Sequence, residues 1–371
     1  MKRQGRWTIA AVIGALALRG ALSGAEPQPP AAVPDLGSLF TPPQPLCDQD
    51  GNAIVTRRAV GHPTVADFNG DGTNDVLLGC HQNMDTATAE ILVIESIGAT
   101  PPRFRWPASR VRIESSVPAA ADEPAGICYA TSCGCKSSGT FETHVVDWNG
   151  DGFFDLVVDT YWTDGVRLLL NTGRSRRDPT FVKADMLHRI GSHGMGSGGG
   201  DWNNDGVEDF VFSVNHYGWT MYPGVRDEKG GVWFSDKAAF DAGKVKLTGQ
   251  SGWFSHTPYA WNFSGAHGAG SPVTEIVAVM DDPADDQRGF DQHACRINYY
   301  WWDREAGTCA LKGTLATNNA AYTRMGIGDL NGDGCMDLLF TGGVFTKGDD
   351  TQIRVMYGKV RNVVAAKTSR P

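Results

Sequence analysis

Short apolar runs recur along the chain, and clusters of Gly, Asp and Asn bound each of them. Typical runs are VLLG, DLVV, DFVF and DLLF, which are too short for an amphipathic helix. Apolar runs of about four to eight residues between turn-forming residues indicate β-strands. The pattern therefore predicts an all-β chain built from many short hairpins.

One nine-residue pattern occurs four times between such runs. Each copy has Asp in places one, five and nine, Asn in place three and Gly in place six. We call the copies the first, second, third and last loops; they span Asp67–Asp75, Asp147–Asp155, Asp201–Asp209 and Asp329–Asp337. The β-like runs on both sides predict that each loop joins the two strands of a hairpin.

The residue types in these loops are those that a calcium ion needs. Hard oxygen ligands at alternating places, with Gly at the sharp turn, match the start of an EF-hand loop, although the last carboxylate stands in place nine rather than twelve. The sequence predicts about four Ca²⁺ sites. Their expected ligands are Asp67, Asn69, Asp71, Asp75, Asp147, Asn149, Asp151, Asp155, Asp201, Asn203, Asp205, Asp209, Asp329, Asn331, Asp333 and Asp337.

Loops of this kind inside hairpins resemble the FG-GAP or VCBS repeat of integrin-α-like β-propellers. The resemblance implies a calcium-binding β-propeller, and it implies no particular activity. Third strands are expected at 89–96, 165–171, 218–224, 297–303 and 352–359. The strand at 53–60 is expected to pair with the last blade and close the ring.

The spacing of the loops predicts the number of blades. The gap of 128 residues between Asp201 and Asp329 is about twice the others and holds a degenerate copy, YAWNFSG followed by SPVTEIVAVMDD. We place Trp261 and Asn262 in its second and third places and Glu275 in the final place, with Ala260 in the opening place, and expect little or no metal there. A single propeller of five four-stranded blades results, with six or seven open if residues 98–140 hide another.

The first 25 residues have the features of a secretory signal peptide. Lys2, Arg3 and Arg6 precede an apolar stretch and a small-residue cleavage site at 23–25. A Pro/Ala-rich leader is expected at 26–45 and the propeller at 46–365. The protein is therefore expected to be secreted or periplasmic, monomeric and without a transmembrane segment.

Charge excludes one class of partner. The chain has 33 basic and 42 acidic residues, a net charge of −9, and 12 of the acids are loop aspartates. An acidic chain of this kind is not expected to bind nucleic acid.

Eight cysteines fall after the signal, which favours disulfides in a secreted chain. Cys295 and Cys309 flank a strand-like pair and are a candidate pair for bridging a hairpin, while the disulfide pairing as a whole stays open. Cys128, Cys133 and Cys135 cluster in a Gly/Ser-rich segment, where a zinc site with His81 or a remote His is the open alternative to disulfides.

Propeller topology brings the starts of the innermost strands together, at the end of the ring opposite the loops. His, Tyr, Trp and Arg collect at those positions. The candidate catalytic residues are His62, His81, His144, His216, Tyr217 and Arg324, and the candidate substrate-binding residues are Tyr161, Trp162, His193 and His256. Aromatic rings stack on sugars, and Arg or protonated His neutralises uronate or sulfate.

This set suits β-elimination from an acidic polysaccharide. Arg324 or a protonated His would neutralise the carboxylate, and a neutral His62 or His81 would remove the proton. Tyr217 or Tyr161 would protonate the leaving oxygen or act as the base. The arrangement resembles that of propeller-type polysaccharide lyases, including ulvan lyases. The alternative interpretation is a non-catalytic adhesion or protein-interaction propeller at the cell surface.

Overall fold

The hairpins predicted around the loops are present in the computed structural model. Helix is limited, in the described part of the chain, to the single turn α1, Leu36–Leu39. The structure describes residues 34–56, 60–80, 90–114, 140–160, 165–175, 177, 179–189, 194–214, 218–226, 228, 232–234, 240–241, 246–248, 255–267, 270–281, 295–318, 323–341 and 351–361.

The strands follow one another in hairpin order. Those up to the second sheet are β1 Gln44–Pro45, β2 Val55–Thr56, β3 Val60–Ala66, β4 Asp75–Cys80, β5 Glu90–Ile94, β6 Ser109–Arg110, β7 Arg112–Glu114, β8 Thr140–Val146, β9 Asp155–Thr160, β10 Gly165–Asn171 and β11 Thr180–Arg189. The next are β12 Gly194–Gly200, β13 Asp209–Val214, β14 Gly218–Tyr222, β15 Gly224–Arg226, β16 Val232–Phe234, β17 Phe240–Asp241 and β18 Lys246–Thr248. The remainder are β19 Ser255–Ala260, β20 Val273–Asp281, β21 Cys295–Asp303, β22 Thr308–Asn318, β23 Arg324–Gly328, β24 Asp337–Thr341, β25 Thr351–Gln352 and β26 Arg354–Met356.

Five antiparallel units of four strands account for most of these elements in the described residues. Their strand orders are β3-β4-β5-β6, β8-β9-β10-β11, β12-β13-β14-β17, β19-β20-β21-β22 and β23-β24-β26-β1. We call them the first to fifth sheets. Each predicted third strand overlaps an observed one, in β5, β10, β14, β21 and β26. The third and fourth sheets are joined into a single sheet of nine strands, because β12 pairs in parallel with β19.

The first strands of the five sheets contact one another in a closed cycle: β3 with β8, β8 with β12, β12 with β19, β19 with β23, and β23 with β3. At two of these contacts, glycine allows the backbones of the neighbouring strands to come close together. A Cβ on Gly198 would lie 1.8 Å from the carbonyl oxygen of Pro258, and one on Gly326 would lie 1.6 Å from that of Pro63. The sheets therefore form a β-propeller with narrow contacts between its innermost strands.

The hydrophobic core lies between the sheets rather than inside one layer. Five clusters of buried side chains are found among the described residues, and each joins one sheet to the next around the ring. The second place of every loop contributes to one of them. These residues are Phe68, Trp148, Trp202 and Leu330, with Phe263 in the degenerate loop. Each loop thus anchors its sheet to the next one.

Closure of the fifth sheet differs from the expectation. Its outer strand is β1, Gln44–Pro45, which pairs with Val355 and Arg354, whereas Val55–Thr56 pairs with Thr351–Gln352 in a small separate sheet. Phe40 and Leu46 are buried in the adjoining clusters. Residues 34–45 of the predicted leader are therefore part of the folded propeller, and the N-terminal segment closes the ring earlier in the chain than predicted.

The candidate hairpin disulfide is wrong. Cys295 pairs in register with Asn318, and Cys309 pairs with Trp302, so the two thiols lie at opposite ends of the hairpin. Seven residues of strand correspond to about 23 Å, far beyond the reach of a disulfide. No disulfide links Cys47, Cys295, Cys309 and Cys335 to one another in the described part of the chain. Cys128, Cys133 and Cys135 lie outside the described residues.

No helix in the described segments is long and apolar enough to cross a membrane. The predicted signal peptide and residues 26–33 of the leader lie outside those segments.

Candidate functional site

All four acidic loops adopt the same turn. In the second loop the amide of Asp151 donates to Asp147 Oδ1 (3.1 Å) and Asn149 Oδ1 (3.0 Å), and the amide of Gly152 donates to Asp147 Oδ2 (3.0 Å). Equivalent bonds occur in the first, third and last loops. The side chains in places one and three therefore turn inward over one short stretch of backbone, and the carboxylate in place five accepts from the amide in place seven.

The ninth aspartate ties each loop to its own sheet. Its Oδ1 accepts from the amide just beyond or at the end of the third strand, at 2.8 Å in every case: Ser96, Asn171, Gly224 and Gly358. In the second, third and last loops Oδ2 accepts from the amide in place two, at 2.8 to 2.9 Å. A carboxylate has about four acceptor sites, so these bonds leave capacity for a cation.

Burial of negative charge favours a cation in the loops. Burial, with a smaller contribution from the carboxylates in places one and five, raises the pKa of Asp75, Asp155, Asp209 and Asp337 to about 7. Asp75 Oδ2 is buried without a hydrogen-bond partner. Carboxylate and amide oxygens that converge in this way match the chemistry of calcium ligands.

As they stand, no three side chains of His, Cys, Asp or Glu within the described segments form a group that could hold a metal ion. The absence of such a group is compatible with calcium binding. A calcium ion also takes Asn side-chain and backbone carbonyl oxygens, which are not counted among His, Cys, Asp and Glu side chains. The donor set of each loop fits calcium, and its occupancy stays a prediction.

The degenerate loop is shifted by one residue from the predicted alignment. The amide of Trp261 donates to the carbonyl oxygen of Glu275 at 3.1 Å, as a residue just before an opening place would. The amide of His267 donates to Asn262 Oδ1 (3.0 Å), and that of Ala266 donates to Ser264 Oγ (3.1 Å). Asn262 therefore occupies the opening place, and the placement of Ala260 there was wrong.

The shift explains why this loop lacks the acidic set. Ser264 stands in place three and Ala266 in place five, so Glu275 is its one acidic side chain. Both Glu275 oxygens accept hydrogen bonds from Ser264, through its amide and its hydroxyl. Hydrogen bonds inside the loop thus satisfy the carboxylate.

The starts of the innermost strands meet at the end of the ring away from the loops. His62 in β3 and Arg324 in β23 lie on adjacent strands, each five residues before its opening aspartate. His62 is fully buried, and its Nδ1 lies 3.1 Å from the carbonyl oxygen of Met325; Arg324 is 1% exposed. These two candidate catalytic residues therefore lie between sheets rather than on an open surface.

His144 lies in β8 and His256 in β19, on two further innermost strands. Register irregularities interrupt β3 between Val60 and Pro63 and β19 between Ser255 and Thr257, and β8 and β12 carry equivalent ones near their starts. His62 and His256 fall within these irregular stretches. Bulges often redirect side chains next to functional sites.

The other candidates at this end are outside the described residues: His81, Tyr161, Trp162, His193, His216 and Tyr217. The neighbouring described strands end at Cys80, Thr160 and Val214, or begin at Gly194, so these residues are one to three positions away from those strands in the sequence.

Two features of the site escaped the sequence reasoning. One is the large apolar residue in place two of every loop, which is a sequence signal for an inter-sheet anchor; Phe263 in that role puts Asn262 in the opening place. The bulges near the strand starts leave no clear sequence signal beyond glycines such as Gly61 and Gly196.

The fold and the site define a β-propeller with four acidic hairpin loops. No protein-family model matches the chain, and no curated protein matches it. Among solved structures it is similar to a GH43 endo-arabinanase from Bacillus licheniformis, with 9% identity over 84% of this chain and 96% of that chain and a TM-score of 0.44. It is also similar to a glycoside hydrolase, with 10% identity over 88% of this chain and 95% of that one and a TM-score of 0.44. At these values the likeness carries no argument about activity.

Proposed function

We propose that the protein is a secreted, calcium-stabilised β-propeller that binds an acidic polysaccharide at the end of the ring opposite its calcium loops. The observation that carries the proposal is the convergence of the five innermost strand starts, which bring His62, His144, His256 and Arg324 from four sheets to one end. Connecting segments on a rigid scaffold are where binding residues collect.

Binding is better supported than cleavage. His62 and Arg324 are buried between β3 and β23, so a substrate does not reach them in this conformation. We assign them to positioning the strand starts, and we assign glycan contact to His144, His256 and the connecting segments that carry His81, Tyr161, Trp162, His193, His216 and Tyr217. Cleavage by β-elimination, with a His or Tyr from these segments as base, is the activity to test.

The test is a binding screen with the purified protein at about 1 mM calcium, the concentration at which extracellular calcium modules are occupied. Ulvan, pectin and glycosaminoglycans serve as acidic glycans, and a neutral glucan serves as the reference. Retardation in glycan-containing gels reports binding, and a rise in ultraviolet absorbance from an unsaturated uronate reports elimination. Failure to bind any acidic glycan would contradict the proposal.

Two variants locate the binding end. His144→Ala with His256→Ala should weaken glycan binding by about tenfold or more, because each removes a hydrogen bond to a charged group, which contributes about 1.5 to 3 kcal/mol. His188→Ala is the matched control, since His188 lies in β11, the fourth strand of the sheet whose innermost strand holds His144. Equal loss in the control would place binding elsewhere.

The second candidate is an adhesion module that binds a protein through the loop end. The exposure of the aspartate in the fifth place of all four loops favours it: Asp71, Asp151, Asp205 and Asp333. In that case the histidine variants would retain binding to a cell surface while a chelator abolishes it.

A further inference from the structure

The third loop differs from the other three in place four. Glycine stands there in the first, second and last loops, as Gly70, Gly150 and Gly332, with φ between 69° and 72°. Asn204 stands there in the third loop and takes the same left-handed conformation, with φ of 58°. Asn tolerates this region better than most residues, so the loop keeps its shape and gains a side chain.

That side chain reaches the degenerate loop of the neighbouring sheet. Asn204 Nδ2 donates to the carbonyl oxygens of Ser271 (3.1 Å) and Val273 (3.2 Å), and the carbonyl oxygen of Asn204 accepts from the amide of Gly270 (3.4 Å). A glycine in place four would leave only the last of these contacts.

A second contact joins the same two loops. The carbonyl oxygen of Trp202 accepts from Thr274 Oγ1 at 2.9 Å and from Arg304 Nη1 at 3.2 Å. The other guanidinium nitrogen, Nη2, donates to the carbonyl oxygen of Ser271. Arg304 thus supplies a cation to oxygen atoms from both loops.

The backbone held by these contacts is the backbone that would surround the ion of the third loop. The amides of Trp202 and Asn203 donate to Asp209, and that of Asp205 donates to Asp201 and Asn203. An ion bound by these acids fixes Trp202 and Asn204, and these residues hold Ser271, Val273 and Thr274. The degenerate loop itself offers one carboxylate.

We propose that the calcium site of the third loop serves two sheets, and that ion binding there orders the degenerate loop through Asn204 and Arg304. This inference rests on the calcium binding proposed above and is independent of the glycan. A ligand that binds the ordered state shifts the equilibrium of every segment coupled to that state.

Hydrogen exchange read by mass spectrometry tests the coupling in peptides that span Asn262–Glu275. With about 1 mM calcium and a Kd of about 10⁻⁴ M, exchange in the wild-type peptides should slow by about tenfold. Asp205→Asn, which weakens only the third site, should abolish the slowing. Asp333→Asn, the matched change in the last loop, should leave it intact.

Asn204→Gly separates the coupling from the ion. It restores the residue that the other loops carry, so calorimetry should find the same calcium stoichiometry. The calcium response of the Asn262–Glu275 peptides should weaken, and what remains should come from the Trp202 contacts with Thr274 and Arg304. A full calcium response in Asn204→Gly or in Asp205→Asn overturns the inference. Absence of calcium binding to the wild-type protein overturns it together with the proposed metal sites, whereas loss of glycan binding alone leaves it standing.

Discussion

At the scale of single residues, the innermost strands depend on positions without a side chain. Gly198 and Gly326 face the backbone of the next sheet, and the atom that a Cβ would meet is a carbonyl oxygen, which cannot rotate away as a long side chain can. The sequence of β12, GMGSGGG, indicates weak strand propensity. Its glycines are nevertheless useful because they allow the backbones of two neighbouring strands to come close together.

Gly198→Ala and Gly326→Ala should each lower the free energy of unfolding by about 1 to 3 kcal/mol or more, because that is the usual cost of overpacking a tight contact. Urea unfolding followed by tryptophan fluorescence measures the change. Gly37→Ala is the control, because its Cβ would lie 3.5 Å from the nearest atom, an ordinary contact within a helical turn. A change no larger than the control would show that the innermost strands can move apart.

At the scale of elements, the short N-terminal segment has a role out of proportion to its length. Strand β1 has two residues, one of them proline, but the segment around it buries Leu39, Phe40 and Leu46. Its backbone also bonds the fifth sheet, from the Thr41 amide to the carbonyl oxygen of Tyr357 at 2.8 Å. Proline is accepted because the strand lies on the edge of its sheet.

Phe40→Ala should cost about 3 to 5 kcal/mol of unfolding free energy, the range for truncating a buried aromatic side chain. Gln44→Ala, at an exposed position in the same segment, should change it by less than about 0.5 kcal/mol. Chemical denaturation at constant calcium compares the two variants. Equal stability of both would mean that the segment does not close the ring.

The sequence predicted the elements that repeat and missed those that do not. Loops and second and third strands follow from periodic residues such as Asp147 and Asp155, so their places could be read directly. The insertion in the degenerate loop broke that period, and the alignment slipped at Asn262. The two-residue strand β1 has no pattern to detect. The disulfide between Cys295 and Cys309 could not be judged from the sequence. Which residues of a hairpin face each other depends on the strand register, and the register depends on contacts that are distant in sequence.

At the scale of the whole molecule, every sheet is held by its two neighbours, and each loop contributes an anchor to the core between them. Loss of order in one sheet exposes apolar surface on two others, since the five clusters are shared. Unfolding is therefore expected to be one cooperative transition of the ring.

Calcium removal should lower stability without splitting that transition. At about 1 mM calcium and a Kd of about 10⁻⁴ M, each occupied site contributes about 1.4 kcal/mol. Calorimetric melting with calcium and with a chelator measures the shift, and magnesium at the same concentration controls for ionic strength. An unchanged melting temperature would contradict the predicted calcium sites.

The parallel pairing of β12 with β19 makes one boundary of the ring unlike the others. Gly200 pairs there with Ala260, and the Asn204 and Arg304 contacts reinforce the boundary at the loop end. The third and fourth sheets should then move together as one unit. Transient opening of the ring is therefore expected at the other boundaries between sheets, and a protease should cut there first.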